Sequence, residues 1–426
     1  MITVAEVRLW GKRVGAVSIT EDSPYAYFQY DDDFLNSHIQ LSPIVMPLSN
    51  IVFQFSGLPL DTFKGLPGLL SDSLPDRYGT KIIDAWLDAQ GRSRQSFTVV
   101  ERLCYVGTRG MGALEYYPAK HKEYNRVEEI ELNDLVNLSN EIINQKAKIK
   151  VDEKAGFEEI IKVGTSAGGA RAKAIIAYNE KTGIIKSGQI DAGEGFTYWI
   201  IKLDGVNQGD ETAFTRREYA YYLMAKEAKI EMTESRLLEK DGYYHFMTRR
   251  FDRYLNSKNK MEKLHMQTLG ALTHIDYNQP GSMSYEETAN IMYRLGIQPS
   301  ANKQLFRRMV FNVMSRNHDD HVKNISFLMD KAGKWSLAPA YDITYSYNPD
   351  GQWTNKHQMT INAKRENITI IDLLQAAQNM KIKSEDALAI INEVRSALLK
   401  WESFAKKAFL KQTEIDFIRN QFILYK

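Results

Sequence analysis

The sequence predicts an α+β chain of two lobes, a β-rich N-terminal part followed by a mainly α-helical C-terminal part. Three observations carry that reading. Short apolar–polar alternations recur before about residue 250, apolar residues recur at helical spacing after about residue 254, and a charge-dense stretch interrupts the first part near 119–155. In the first unit, residues 1–118, Val4, Val7 and Leu9, then Val14, Ala16 and Ile19, predict two strands around a Gly11-Lys12-Arg13 turn, and Tyr25, Tyr27 and Gln29 continue the alternation. Pro67 and Pro75 then punctuate a loop, and Ile82, Ile83, Trp86 and Leu87 predict a helix. Gly107, Gly110 and Gly112 mark a turn-rich segment.

The second unit, residues 119–250, opens with charges from Lys120 to Glu131 around the helical pattern of Leu132, Leu135, Val136, Ile142 and Ile143. That helix either packs on one face or is a solvated surface helix. A Gly-rich loop precedes AIIAY, YWIIKL at 198–203 is strand-like, Arg216 to Lys229 is helical, and YYHFMTRRF is a strand again. The third unit, residues 251–426, is read as helical at Tyr285–Leu295, Lys303–Met314 and Ala387–Phe409. Within it, ISFLMDKAGKWSL reads as a β-hairpin around Asp330-Lys331-Ala332-Gly333.

Bulk properties narrow the function classes. Apolar residues at 43% and charged residues at 25% of 426 allow a large core. A net charge of +2 gives no support for nucleic-acid binding driven by bulk charge. One cysteine, Cys104, excludes an internal disulfide and a cysteine-based zinc site. The N-terminal segment lacks the apolar stretch of a signal peptide, and no run of about 18 apolar residues occurs. A cytoplasmic protein without a membrane span is expected.

Phosphoryl transfer asks a protein for a phosphate cover, a lysine, a positioned base and two Mg²⁺ ligands. In RNHDDHVKN, Asp319 precedes Asn324 by the D-x-x-x-x-N spacing of a kinase catalytic loop. The Asp319 carboxylate can accept a hydroxyl proton, and the Asn324 amide oxygen can ligate Mg²⁺. After the hairpin, LAPAYD places Asp342 as the second metal ligand. One such match arises by chance, and taken alone Asp319 and Asp320 read as loop or helix-cap residues. The hairpin and Asp342 make the set specific.

Lys202 ends a strand after two isoleucines, where a phosphate-pairing lysine stands in kinases, although a strand-end lysine can also reach solvent. Glu218 or Glu227 on the following helix can be its ion-pair partner. The loop from Gly164 to Lys173, with Ser166, Gly168 and Gly169, can bring backbone N–H groups to phosphate oxygens, and Thr165 and Ser166 can accept phosphate. It matches neither a Walker A sequence nor G-x-G-x-x-G, and taken alone it reads as a plain turn. Arg249 to Phe251 ends the last β-like run, at the place of a nucleotide hinge. Together these predict a two-lobed protein-kinase-like fold using ATP and Mg²⁺.

LPDRYG, YVGTRGMGALEYYP, SAGGARAK, RRFDR, NHDDHVKN and LAPAYD, in that order, resemble the HipA family of bacterial kinases, toxins of type II toxin–antitoxin systems. The resemblance implies Asp319 as catalytic residue, Asn324 and Asp342 as Mg²⁺ ligands, and Lys202 as an ATP contact. It implies Ser166 as an autophosphorylated residue that switches the kinase off, in keeping with a phosphate's added negative charge. It also implies a helix-turn-helix antitoxin of the HipB type, DNA contact mainly through that antitoxin, and a protein substrate in translation such as an aminoacyl-tRNA synthetase. Arg171 and Ala172 replace the Gln and Glu of the family's best-known loop, and Asp320 stands where some members have glycine.

Two other classes compete. His318, Asp319, Asp320 and His321 invite a metal-dependent phosphohydrolase, but such sites draw ligands from several segments. A catalytically silent, antitoxin-binding co-repressor is opposed by the intact Lys202, Asp319, Asn324 and Asp342.

Overall fold

The computed structural model describes residues 2–75, 77–119, 129–143, 171–206 and 213–425. Strands β1 (Val4–Leu9), β2 (Lys12–Ser18), β3 (Tyr27–Tyr30), β4 (Val52–Phe53) and β5 (Leu114–Tyr117) form an antiparallel sheet in the order β4-β3-β2-β1-β5. The first turn is tighter than the sequence suggests. Trp10 and Gly11 take positive φ of 49° and 81°, so Lys12 and Arg13 already belong to β2. Helices α1 (Arg77–Ala89) and α2 (Val99–Val106) follow, the second capped by the Thr98 side chain, which accepts from the Glu101 N–H.

Helix α3 (Leu132–Ile143) leads to the second sheet, ordered β7-β6-β8-β10-β9, with β6 (Lys173–Tyr178), β7 (Ile185–Ser187), β8 (Thr197–Lys202), β9 (Ser235–Lys240) and β10 (Tyr243–Arg249). Its period of two splits the side chains. Ala174, Ile176, Trp199, Ile201 and Met247 pack with Ile82, Ile83, Leu87, Leu135 and Val136 of α1 and α3. That places the α3 helix on the core. The alternate residues, Lys173 and Lys202 among them, face the other way, toward helix α4 (Phe214–Glu227).

The C-terminal part carries more strand than expected. Strands β11 (Arg253–Leu255) and β12 (Met261–Lys263) form a ribbon, and β13 (His265–Thr268) pairs with the anticipated hairpin of β14 (Ser326–Met329) and β15 (Trp335–Leu337). His265 and Gln267 fill inward positions of β13, and these polar residues conceal the alternation from a hydrophobicity reading. Helices α5 (Leu269–Thr273), α6 (Tyr285–Arg294), α7 (Asn302–Ser315), α8 (Ile370–Asn379), α9 (Ser384–Leu398), α10 (Trp401–Lys407) and α11 (Gln412–Arg419) complete the chain. The stretch expected as one helix to Phe409 turns at Leu399–Lys400. The turn lets the buried Trp401 donate from Nε1 to the Ile415 carbonyl at 3.0 Å.

One apolar core joins the first sheet to the helices, with Phe28, Leu69 and Leu103 in the same cluster as Leu272, Phe306 and Val394. The junction explains two glycines. A Cβ on Gly68 would lie 2.1 Å from the Ala271 carbonyl oxygen, and one on Gly112, at φ 71°, would lie 3.0 Å from the Met266 backbone nitrogen. Asp72 reaches across to accept from the Thr268 N–H at 2.7 Å and hydroxyl at 3.0 Å, at the start of α5.

Candidate active site

Helix α7 leads into the loop that carries Asp319 and Asn324. It buries Val310, Phe311, Val313 and Met314, and it ends at Arg316, whose left-handed φ of 64° turns the chain out. The Arg316 carbonyl then accepts from the N–H groups of Ser346 and Tyr347. Asp319 and Asn324 follow, and Asn324 Nδ2 donates to the Asp319 carbonyl at 2.7 Å. That bond leaves the Asn324 Oδ1 as the free end of the amide. The Asp319 N–H donates to Ser346 Oγ at 2.9 Å.

Asp342 arrives from the end of β15. Ala338 is held by Ser326 and Arg308, Ala340 by Glu231, and Tyr341 by the Lys323 carbonyl. Asp342 itself sits at φ 53°, a conformation an aspartate tolerates better than most residues. Asp319, Asn324 and Asp342 line one pocket together with Asn317, Tyr341 and Ile343. The spacing in sequence therefore brings the three residues together in space.

Lys202 reaches Asp342 from the sheet. Its Nζ donates to both Glu218 oxygens, at 2.7 and 2.8 Å, and also to Asp342 Oδ1. Glu218, not Glu227, is the partner; Glu227 pairs with Lys400 instead. Burial alone would lower the Lys202 pKa, and the two carboxylates overcome it and hold the ammonium charged. Burial would raise Asp342, but Lys202 and then Lys173 keep it below the ordinary carboxylate value. Asp319 goes the other way. Burial raises its pKa, the Asp342 and Asp320 charges add to that, and His321, 3.7 Å away, offsets only part. A carboxylate with a raised pKa is a better proton acceptor.

Lys173 was not among the candidates. It is buried and directly opposite Lys202 across the β6–β8 pair, so both ammonium groups lie on one face of the sheet. Only strand register could have revealed it. Ser166, Gly168 and Gly169 lie outside the described residues. At the hinge, the Arg249 N–H is spent on the Glu234 carbonyl and its C=O accepts from Thr233, whereas Phe251 packs on Tyr341 with ring centroids 5.7 Å apart. Both backbone groups of Arg249 are therefore taken.

The motif RRFDR has a structural role. Asp252 is wholly buried and accepts from Arg250, from Arg253 and from the Gly112 N–H, while Arg253 also donates to the Gly110 and Gly112 carbonyls. It ties the turn-rich segment of the first unit to the stretch that follows β10.

The residues fit a divalent metal as an oxygen pair, the Asn324 amide oxygen and the Asp342 carboxylate, beside a carboxylate base. No cluster of three or more His, Cys, Asp or Glu poised for a metal occurs among the described residues. His318 and Asp320 do not join Asp319. His318 stacks on His357 at 4.1 Å, and Asp320 is bound to Tyr285, His357 and the Gln358 N–H. His318 and Asp320 thus turn to other partners, and of the four residues only His321 stays beside Asp319, at 3.7 Å. No helix of the described residues is long and apolar enough to cross a membrane.

Comparison with known proteins places the chain in a family. Residues 165–401 match the HipA-like C-terminal domain and residues 5–117 the HipA N-terminal domain. A Sinorhizobium fredii (strain NBRC 101917 / NGR234) protein described as "Putative kinase Y4mE" is 27% identical over 108 residues, 24% of this chain and 26% of that protein. A Haemophilus influenzae (strain ATCC 51907 / DSM 11121 / KW20 / Rd) protein described as "Putative kinase" is 29% identical over 140 residues, 30% of this chain and 39% of that protein. The chain thus spans well under half the length of either curated relative. The HipA of Shewanella oneidensis MR-1, solved with HipB and operator DNA, superposes with a TM-score of 0.69 at 16% identity, covering 98% of this chain and 94% of that one. The fold is therefore shared with that structure over almost its whole length, and with both halves of the sequence matched, the chain belongs to the HipA family.

Proposed function

We propose that this protein is an ATP-dependent serine/threonine protein kinase acting as the toxin of a type II toxin–antitoxin module. The observation that carries the proposal is that Lys202 bridges Glu218 and Asp342, and that Asp342 lines one pocket with Asp319 and Asn324. A lysine braced by a helix glutamate is how a kinase presents a cation to ATP phosphates.

In this reading ATP enters between the lysine-bearing sheet face and the catalytic loop. Lys202 pairs with the phosphates, assisted by Lys173, and Phe251 offers its backbone to the adenine. The target hydroxyl attacks the γ-phosphorus, its proton passes to Asp319, and the bond to ADP breaks. Mg²⁺ held by Asn324 and Asp342 would supply charge neutralisation on the phosphates.

Ser166 is our candidate acceptor for autophosphorylation, which would place negative charge where ATP phosphates bind. The Shewanella protein was solved with HipB and operator DNA, which supports a helix-turn-helix antitoxin as partner, with DNA reached mainly through it. The protein substrate we infer is a translation component such as an aminoacyl-tRNA synthetase, and the units we assign are 1–118, 119–250 and 251–426. Growth arrest on expression, abolished by Asp319→Gln, and new phosphosites in translation proteins that vanish with that variant are the expected results. Equal toxicity of Asp319→Gln would overturn the catalytic reading, and a phosphate mapped away from Ser166 would overturn that assignment.

A further inference from the structure

Asp320 follows the proposed base directly, and its side chain is almost wholly enclosed. Its carboxylate accepts from the Tyr285 hydroxyl at 2.9 Å and the Gln358 N–H at 2.7 Å, and it pairs with His357 Nδ1 at 3.0 Å. The chain of contacts continues and closes on itself. Asn312 Nδ2 donates to the Tyr285 hydroxyl at 3.0 Å, Asn317 Nδ2 to Asn312 Oδ1 at 2.9 Å, and Ser346 Oγ to Asn317 Oδ1 at 3.3 Å. Ser346 Oγ in turn accepts from the Asp319 N–H. The Asp319 carbonyl is taken by Asn324. Both backbone groups of Asp319 and the side chain of the next residue are therefore fixed, while the Asp319 carboxylate stays half-exposed.

We infer that Asp320 is a positioning residue, which with Tyr285 and His357 holds the Asp319 peptide so that its carboxylate meets the incoming hydroxyl. The inference rests on the phosphotransfer reading above and extends it. A buried carboxylate with three donors from two other segments is a rigid anchor, whereas a glycine at that position would leave the loop to its own conformational freedom. The circuit also makes the 346–358 segment part of the catalytic apparatus, because Ser346, His357 and Gln358 all come from it.

The test compares wild type with Asp320→Asn, Tyr285→Phe and the double variant, using the full chain and ADP release with Mg²⁺–ATP. Misplacement of a catalytic group by a fraction of an ångström predicts a kcat loss of roughly 10- to 100-fold for Asp320→Asn. KM for ATP stays within about twofold, since no nucleotide contact is removed. The rise in melting temperature on adding Mg²⁺–ATP is kept. Tyr285→Phe removes one hydroxyl from the circuit, so it reads the same kcat-specific loss even if Asp320→Asn fails to fold. The double variant loses no more than the worse single variant if the circuit acts as one unit. Unchanged kcat in both single variants, or kcat and KM moving together, overturns the positioning role while the kinase reading stands. A wild-type protein that transfers no phosphate overturns both.

Discussion

The Arg250–Asp252–Arg253 cluster and the Lys202–Glu218–Asp342 cluster are built from the same kinds of charged side chain, and solvent access separates them. The side chains of the first are 0% exposed, whereas Asp342 in the second keeps 30% of its side-chain surface. In the first, the Asp252 oxygens are taken up by Arg250, Arg253 and Gly112. Burial and the neighbouring Arg250 push the Arg253 pKa down to about 9, so the cluster carries an electrostatic cost that its internal bonds offset. In the second, the pocket side stays open and the Asn324 amide oxygen and the Asp319 carboxylate remain available. A charge cluster closed on itself staples two parts of a chain together. One with an open side and unspent acceptors is equipped for chemistry.

Four outcomes would break or sharpen that contrast. The largest belongs to Asp319, which lines the pocket beside Asp342 of the open cluster. Asp319→Asn should lower phosphate transfer by about 10²–10⁴-fold, the range for losing a general base, with little change in melting temperature. Unaltered transfer with a lowered melting point would reverse the two roles. Next, Asp252→Asn should cost about 3–5 kcal/mol of stability in denaturant titrations, because two buried guanidiniums lose their counter-charge. A loss near zero would show that the closed cluster staples nothing. Third, Asp72→Ala should cost about 1–3 kcal/mol by leaving the Thr268 N–H without its acceptor.

The smallest effect is a separation in pH. Asp319 must be ionised to accept a proton, and its pKa is raised, so transfer should fade on acidification before an ordinary carboxylate would protonate. Asp252 has a depressed folded pKa, pulled down by Arg250 and Arg253 against its burial. Its contribution to stability is present above the unfolded carboxylate value of about 3.9 and is lost as pH falls toward the folded pKa. Activity should therefore fall at a higher pH than melting temperature does. Coincident acid limbs would mean that unfolding, not protonation of the base, ends the reaction.

Much of this contrast was legible in the sequence, but unevenly. Spacing alone paired Asp319 with Asn324, and the hairpin between them and Asp342 is formed as read. The strand ending at Lys202 was legible from its isoleucines, because a buried strand beside a core has no alternative to apolar residues. Lys173 and Asp320 were not, because their roles depend on register and on partners far along the chain, Lys202 for the one and Tyr285 and His357 for the other. The ion pairs of Asp252 with Arg250 and Arg253 could not be read from RRFDR, since nothing in five residues tells a buried ion pair from an open one. Strand β13 was missed for a related reason, its inward residues being His265 and Gln267. The break at Leu399–Lys400 carries neither glycine nor proline, so the helical period runs through it unmarked.

The most direct measurement is the rate of γ-phosphate transfer from radiolabelled ATP by purified Asp319→Asn protein relative to wild type, at equal folded fraction and saturating Mg²⁺–ATP. The account predicts label on the wild-type protein or its target and a loss of about 10²–10⁴-fold in the variant. Transfer by Asp319→Asn at the wild-type rate would contradict it.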